Sequence, residues 1–327
     1  MLPIPGLFEY RLPVTLITGF LGSGKTTLLN HLMSHLGDRR AAVFVNEFGA
    51  IDIDSQILVT VDEDLVALSN GCICCQNRDD FLMAFRRVLA YNQMQTSAGK
   101  RGLDAIFLET SGVADPYPLM LTFRATELWS LTRLDAILTV VDAETFTAEH
   151  FQSQAALAQI KHGDIILLNK TDLVDQEQLK SVKTEIQGFK PHARILPMTY
   201  GQVPLSSVLD VDLYSEEKAT GPPTEAQHLK DDGFVAVPFE SDLPFSLRKF
   251  QKFLDYQLPP EVFRAKGVLW FDDSPHRHLF QLSGKRSQLQ DEAWHDPPRN
   301  QLVCIGRNLD EEQLQHQLHQ CLVMSHE

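Results

Sequence analysis

The stretch GFLGSGKT, Gly19 to Thr26, spaces its glycines, lysine and threonine as Gly-x-x-x-x-Gly-Lys-Ser/Thr, a pattern suited to holding the phosphates of a nucleotide. Gly22 and Gly24 let backbone N–H groups turn inward on phosphate oxygens, with Gly19, Ser23 and Thr27 completing the loop. Lys25 is placed to neutralise the β- and γ-phosphates and Thr26 to offer its hydroxyl to Mg²⁺. In FLETSG (107–112), Glu109 ends an apolar run, where an acid holds Mg²⁺ directly or through water, and Gly112 is free to bring its N–H to the γ-phosphate. Lys25, Thr26 and Glu109 are thus the catalytic candidates. In NKTD, Asn169 and Lys170 precede Thr171 and Asp172, whose carboxylate matches the ring N–H and exocyclic amine of guanine. Adenine lacks that donor pair, so a buried carboxylate at Asp172 is expected to reject it by a factor on the order of thousands.

A second chemistry is written in SNGCICCQN (69–77), which puts Cys72, Cys74 and Cys75 into four positions. They cannot all point into a core from one short loop, because adjacent residues diverge in direction. A permanent structural zinc site usually closes with four protein ligands, and no second cysteine pair exists here. Three thiolates leave one tetrahedral position open, as suits a metal that must be passed on. The loop lies between NEFGAIDID and LETSG, placed like the two switch segments of a nucleotide-dependent protein, so γ-phosphate contacts are positioned to tighten or loosen it.

These residues need a scaffold, and the hydrophobic pattern supplies one. VTLIT (14–18), AAVFV (41–45), AIFLE (105–109), AILTVVD (137–142 at its core), IILLN (165–169) and RILPMT (194–199) read as buried strands. Helical patterns alternate with them, one with Leu28, Leu29, Leu32, Met33 and Leu36 along a face, another around Phe81, Phe85, Val88 and Leu89. The expectation is a mostly parallel α/β sheet flanked by helices over residues 1–212. A proline- and acid-rich linker (213–232) follows, then a smaller α+β domain (233–327) with strands at FVAVPFE, GVLWFDD, HLFQLSG and QLVCIG.

Composition narrows the partners. A formal net charge of −14 repels phosphate backbones and anionic lipid surfaces, so neither nucleic acid nor membrane is expected. No run approaches the roughly 18 apolar residues of a membrane span, and the start MLPIPGLFEYRLP lacks a signal peptide's cationic segment and long apolar core. Five cysteines, three of them crowded and the others at Cys304 and Cys321, fit a reducing cytoplasm better than a disulfide framework.

Taken together, GFLGSGKTTLLNHL, VNEFGAIDID, NGCICC, LETSGVADP and LLNKTDL resemble the CobW family of metal-handling P-loop GTPases, relatives of the nickel-insertion GTPases of hydrogenase and urease maturation. FRAKGVLWFDDSPHRHLFQLSGKR resembles that family's C-terminal domain. The resemblance implies a GTPase that carries Zn²⁺, or a similar transition metal, to a client protein. Some members flank NEFG with glutamates; here those positions are Val45 and Ala50, leaving Glu47, Asp52 and Asp54 as candidate carboxylates beside the cysteines. Two other readings stay open: a nucleotide-gated metal sensor or store with negligible turnover, and a GTPase assisting cobalt insertion in corrinoid synthesis. No glutamine follows Gly112 to orient a water, so intrinsic hydrolysis is expected to be slow in either case.

Fainter patterns remain. His276 and His278 are expected on one side of a strand start, as an auxiliary metal pair or a solvated edge. His316, His319 and Cys321 share a helix whose apolar face is Leu314, Leu318 and Leu322, which turns the histidines to water. Arg264, Lys266, Lys285 and Arg286 form either a docking patch for an acidic client or a solvated face.

Overall fold

The computed structural model describes residues 11–45, 78–126, 128–146, 153–214, 233–283, 286–294 and 297–323. Glu47, Asp52, Asp54, Cys72, Cys74, Cys75, Lys285 and most of the expected linker lie outside the described residues. The chain divides into two compact units.

The first unit is built on six parallel strands: β1 (Leu12–Gly19), β2 (Ala41–Val45), β3 (Ala105–Glu109), β4 (Thr132–Asp142), β5 (Ile165–Asn169) and β6 (Arg194–Pro197). Their order is β2-β3-β1-β4-β5-β6, with β1 inside the sheet and every connection a crossover. The crossovers carry α1 (Lys25–Ser34), α2 (Arg78–Ser97), α3 (Tyr117–Ala125), α4 (Leu128–Leu131), α5 (Gln154–His162) and α6 (Gln176–Phe189).

Both faces of the sheet are covered, which is why its strands read as continuous apolar runs rather than alternating ones. On one face Ile17, Phe107 and Leu138 pack with Leu28, Leu29 and Leu32 of α1. On the other, Val14, Leu16 and Ile106 meet Phe81 and Phe85 of α2 and Phe123 of α3. There Phe44 stacks on Phe85 at 5.0 Å. The strand β4 begins five residues before its expected core because the polar Asp135 interrupts the apolar pattern. That carboxylate is buried and satisfied, accepting bonds from the backbone N–H groups of Val211 and Asp212 and from Arg133. Tyr214 packs against the same core, so the chain stays with this unit slightly beyond residue 212.

The second unit is an antiparallel sheet of β7 (Phe234–Ser241), β8 (Val262–Trp270), β9 (Arg277–Ser283), β10 (Arg286–Glu292) and β11 (Asn300–Arg307), in the order β10-β9-β8-β11-β7. Two helices, α7 (Leu247–Tyr256) and α8 (Glu311–Cys321), share a phenylalanine-rich core with it that includes Phe239, Phe245, Phe250, Phe271 and Phe280. The strand β10 escapes the sequence pattern: it is an edge strand whose residues, RSQLQDE, are almost all exposed, so neither face imposes an apolar period.

Candidate functional site

Parallel pairing brings the carboxyl ends of β1, β3, β4 and β5 to one edge of the sheet. Ile17 lies beside Glu109, Gly19 beside Val140, and Asp142 beside Asn169. Ligands of open α/β sheets bind at such an edge. Between β1 and α1 the GFLGSGKT loop closes back on itself. Gly24 starts α1 in the left-handed region (φ 105°) without a side-chain cap, so the first amides of α1 have no side chain of their own to bond. A Cβ on Gly24 would collide with Asn169 Nδ2, so geometry and space both demand glycine there.

Of the lysine, threonine and glutamate expected to act together, the threonine and glutamate touch and the lysine sits at the base of the same loop. Lys25 is buried at the loop's base, and its ammonium donates to the carbonyls of Gly19 (2.9 Å) and Phe20 (3.2 Å). Thr26 Oγ1 donates to Glu109 Oε1 at 2.8 Å, and Glu109 is only 4% exposed. A buried carboxylate touching a hydroxyl at the foot of a phosphate loop is a hard-oxygen donor set, which fits Mg²⁺. Behind it the hydroxyls of Thr110 and Thr18 bond at 2.9 Å, and the Thr110 N–H donates to the Ile17 carbonyl at 2.9 Å. Gly112 lies against the loop: a Cβ there would sit 2.9 Å from the Leu21 Cα and nitrogen. Gln159 of α5 steadies this segment by donating to the carbonyls of Gly112 (3.2 Å) and Ala114 (2.9 Å). Ser23 is buried and Thr27 exposed. Val113, where an orienting glutamine is lacking, is buried.

The NKTD residues contact the phosphate loop. Asn169 Nδ2 donates to the Ser23 carbonyl at 2.9 Å, and Asn169 Oδ1 accepts from the Gly201 N–H at 3.4 Å. Lys170 donates to the Gly22 carbonyl at 2.9 Å and pairs with Asp142 at 2.5 Å. The phosphate loop is thereby tied to the NKTD segment. Asp172 stands in a single 3-10 turn, Thr171–Leu173, and is solvent-exposed rather than buried as expected.

Three contributors escaped the sequence reading. Asp142 ends the apolar run TVVD on the same edge as Glu109 and Asn169, and that position was its signal. The loop after β6 reaches in through Thr199, whose hydroxyl bonds that of Thr171 at 3.0 Å, and through Gly201. Nothing in the local sequence marks that loop, nor Gln159, whose role arises only from packing.

The fainter histidine patterns separate. His276 precedes β9, while His278 within it engages Asp291 through Nδ1 and Ser274 through Nε2, both at 2.8 Å, so the two do not form a pair. His316 and His319 are exposed on α8, as expected, with Leu314, Leu318 and Leu322 buried beneath. Arg264 and Lys266 lie on β8 and Arg286 opens β10. Cys304 and Cys321 are free and buried; burial pushes their thiols up to about 12 and about 11. Among the described residues no group of three or more His, Cys, Asp or Glu is arranged to hold a metal, and no helix is long and apolar enough to cross a membrane.

Comparison with known proteins agrees with this geometry. Residues 13–197 match the CobW/HypB/UreG nucleotide-binding domain, and residues 234–322 match the cobalamin synthesis protein cobW C-terminal domain. The chain is 33% identical to the zinc chaperone CobW of Pseudomonas aeruginosa, over 95% of this chain and 92% of that protein. It is 30% identical to the zinc chaperone YjiA of Escherichia coli, over 92% and 96%. With the zinc-regulated GTPase metalloprotein activator 1 of Dictyostelium discoideum it shares 27% identity, over 96% and 80%. Among solved structures, Zn(II)-bound YjiA GTPase from E. coli aligns over 96% of this chain and 99% of that one at 27% identity, with a TM-score of 0.47. The chain belongs to the CobW/HypB/UreG family of P-loop GTPases.

Proposed function

We propose that this protein is a GTP-hydrolysing metallochaperone that carries Zn²⁺ as cargo on Cys72, Cys74 and Cys75 and delivers it to a client protein in the cytoplasm. The observation that carries the hydrolytic half is the contact of 2.8 Å between Thr26 and the buried Glu109 at the foot of the phosphate loop. Thr26 and Glu109 would hold Mg²⁺, which when bound neutralises charge on the β- and γ-phosphate oxygens. Lys25 is placed to offset the negative charge that develops on the same oxygens. Gly112, seated against Leu21, is placed to offer its N–H to the γ-phosphate. Asp172 accepts from guanine and loses water as the base covers it, which restores the penalty against adenine. With the buried, apolar Val113 beside Gly112, turnover by the protein alone is slow.

The cargo half rests on the thiolate trio in NGCICC and on relatives named zinc chaperones. Three soft ligands hold Zn²⁺ with one position left for an incoming client ligand. Glu47, in VNEFG, is the candidate for a supporting carboxylate. A coupling of about 1–3 kcal/mol between nucleotide state and metal affinity suffices for loading and release. The test is a competitive chelator titration of Zn²⁺ on the GTP- and GDP-loaded protein, alongside GTP turnover with and without Zn²⁺. Affinities that differ by several-fold or more, lost when all three cysteines become serine, support the reading. Equal affinities with zinc-independent turnover leave a metal site without a nucleotide switch and overturn the coupling.

A further inference from the structure

We propose that His31, in the last turn of the phosphate-loop helix α1, and His35, its C-cap, form a second transition-metal site, distinct from the cysteine trio. The two lie four residues apart, and on a helix that spacing places side chains on one face. Their rings adjoin, with centroids 4.3 Å apart and planes tilted by 41°. Metal–imidazole bonds of about 2.0–2.1 Å run from one nitrogen of each ring, and rings this close bring two such nitrogens within reach of one ion after a change of side-chain angle.

Hydrogen bonds of both rings leave the right lone pairs. His31 Nε2 lies 3.1 Å from the Val203 carbonyl and 3.4 Å from the Val203 nitrogen, and the tautomer that donates to the carbonyl leaves Nδ1 with a lone pair. His35 Nδ1 lies 2.8 Å from the His31 carbonyl and 3.0 Å from Ser34 Oγ. The Ser34 hydroxyl itself donates to the His31 carbonyl, at 3.0 Å, so its oxygen is left to accept from His35 Nδ1–H. In those tautomers each imidazole gives one N–H to an oxygen acceptor and keeps the other nitrogen, His31 Nδ1 and His35 Nε2, as a lone-pair donor. Ligating histidines are commonly oriented this way, with the second nitrogen fixed by a carbonyl. His35 is exposed and is the C-cap of α1, where the helix's partial negative charge favours a cation.

Two neutral nitrogens with water in the remaining positions make a weaker and more exchangeable site than three thiolates. Neutral imidazole favours Zn²⁺, Cu²⁺, Ni²⁺ or Co²⁺ over Mg²⁺. The site also touches the nucleotide machinery, because Val203 follows the loop that presents Gly201 to Asn169.

The test uses the full chain, first loaded with one equivalent of Zn²⁺ and then titrated with Co²⁺, read by optical absorption and by histidine-selective nitrogen NMR. The expected result is a second ion whose spectrum lacks thiolate-to-metal charge transfer. It should move the His31 Nδ1 and His35 Nε2 resonances, and His35→Gln should weaken it by about tenfold or more. His35→Gln alters an exposed residue, so it stays informative even if His31→Gln, which breaks the contact with Val203, unfolds the protein. Unchanged Co²⁺ affinity in His35→Gln, or shifts confined to other histidines such as His276 or His316, would overturn the proposal.

Discussion

The replacement Asp142→Asn tests whether the carboxylate that ends β4 organises the nucleotide site through Lys170. The side chains of Asp142 and Lys170 are 5% and 20% exposed and 2.5 Å apart. Asparagine keeps the size of the group and an oxygen to accept the Glu144 N–H, now at 3.0 Å from Oδ1, so the change removes mainly the charge. Deleting one partner of a fully buried ion pair costs about 3–5 kcal/mol because the other charge is stranded. Lys170 is not fully stranded: it retains the Gly22 carbonyl at 2.9 Å and part of its surface reaches water. The expected loss of stability is therefore smaller, about 2 kcal/mol. Because Lys170 spans Asp142 and Gly22, an ammonium drawn toward solvent also loosens the phosphate loop. If about 1.4 kcal/mol of loop ordering is then added to binding, GDP affinity falls about tenfold. Asp142→Asn, Lys170→Met and the double variant, measured by denaturant unfolding and by fluorescent-nucleotide titration, form a double-mutant cycle. A coupling of about 2 kcal/mol is expected; additivity within about 0.5 kcal/mol, with GDP affinity unchanged, would refute the role assigned to Asp142.

Asp172→Asn turns one acceptor toward guanine's donors, so GTP affinity should fall by several kcal/mol while xanthosine triphosphate gains; equal binding of ATP and GTP by the unaltered protein would contradict the base assignment. Gly24→Ala drives a Cβ into Asn169 Nδ2 from a φ of 105°, and should cost at least about 1–3 kcal/mol of stability and most nucleotide binding, as read by thermal unfolding with and without GDP. Lys25→Ala should abolish GTP hydrolysis with the circular-dichroism spectrum preserved; phosphate release at the unaltered rate would remove the loop from the chemistry. Burial raises the Cys304 thiol from 9.0 to about 12, so the unfolded state loses its proton first. The stability that this thiol contributes is present below pH 9 and is lost as pH rises toward about 12; Cys304→Ala should flatten that part of the stability–pH curve, and an unchanged slope would exclude the contribution.

Much of the fold was legible because doubly covered parallel strands leave a strong mark: each of IILLN, AIFLE and AAVFV is apolar on both faces and ends where the sheet ends. What was hidden is polar by sequence and satisfied by distant partners. Asp135 looked like a strand boundary but is embedded in β4, because backbone N–H groups of Val211 and Asp212 meet it. The edge strand β10 has no apolar period to read, since pairing with β9 alone defines it.

The site shows the same division. Residues proposed to contact the nucleotide obey spacing rules imposed by the ligand's own shape, so GFLGSGKT, LETSG and NKTD announce themselves. Residues that hold these segments together obey only the geometry of the sheet edge. Asp142 and Asn169 are neighbours because β4 and β5 pair in that register, and Asn169 bonds Ser23 because β1 places the loop within its reach. Neither relation is a pattern along the chain. Asp172 marks where the inference from motif to environment overreached: recognising an acceptor for guanine requires a carboxylate at that position, but burying it requires the base itself. Its exposure ties discrimination between GTP and ATP to the bound state, where the competing water has been displaced. The same reasoning separates the clamp from the reader: substitution at Asp142 should weaken guanine and xanthine nucleotides alike, whereas substitution at Asp172 should exchange one for the other.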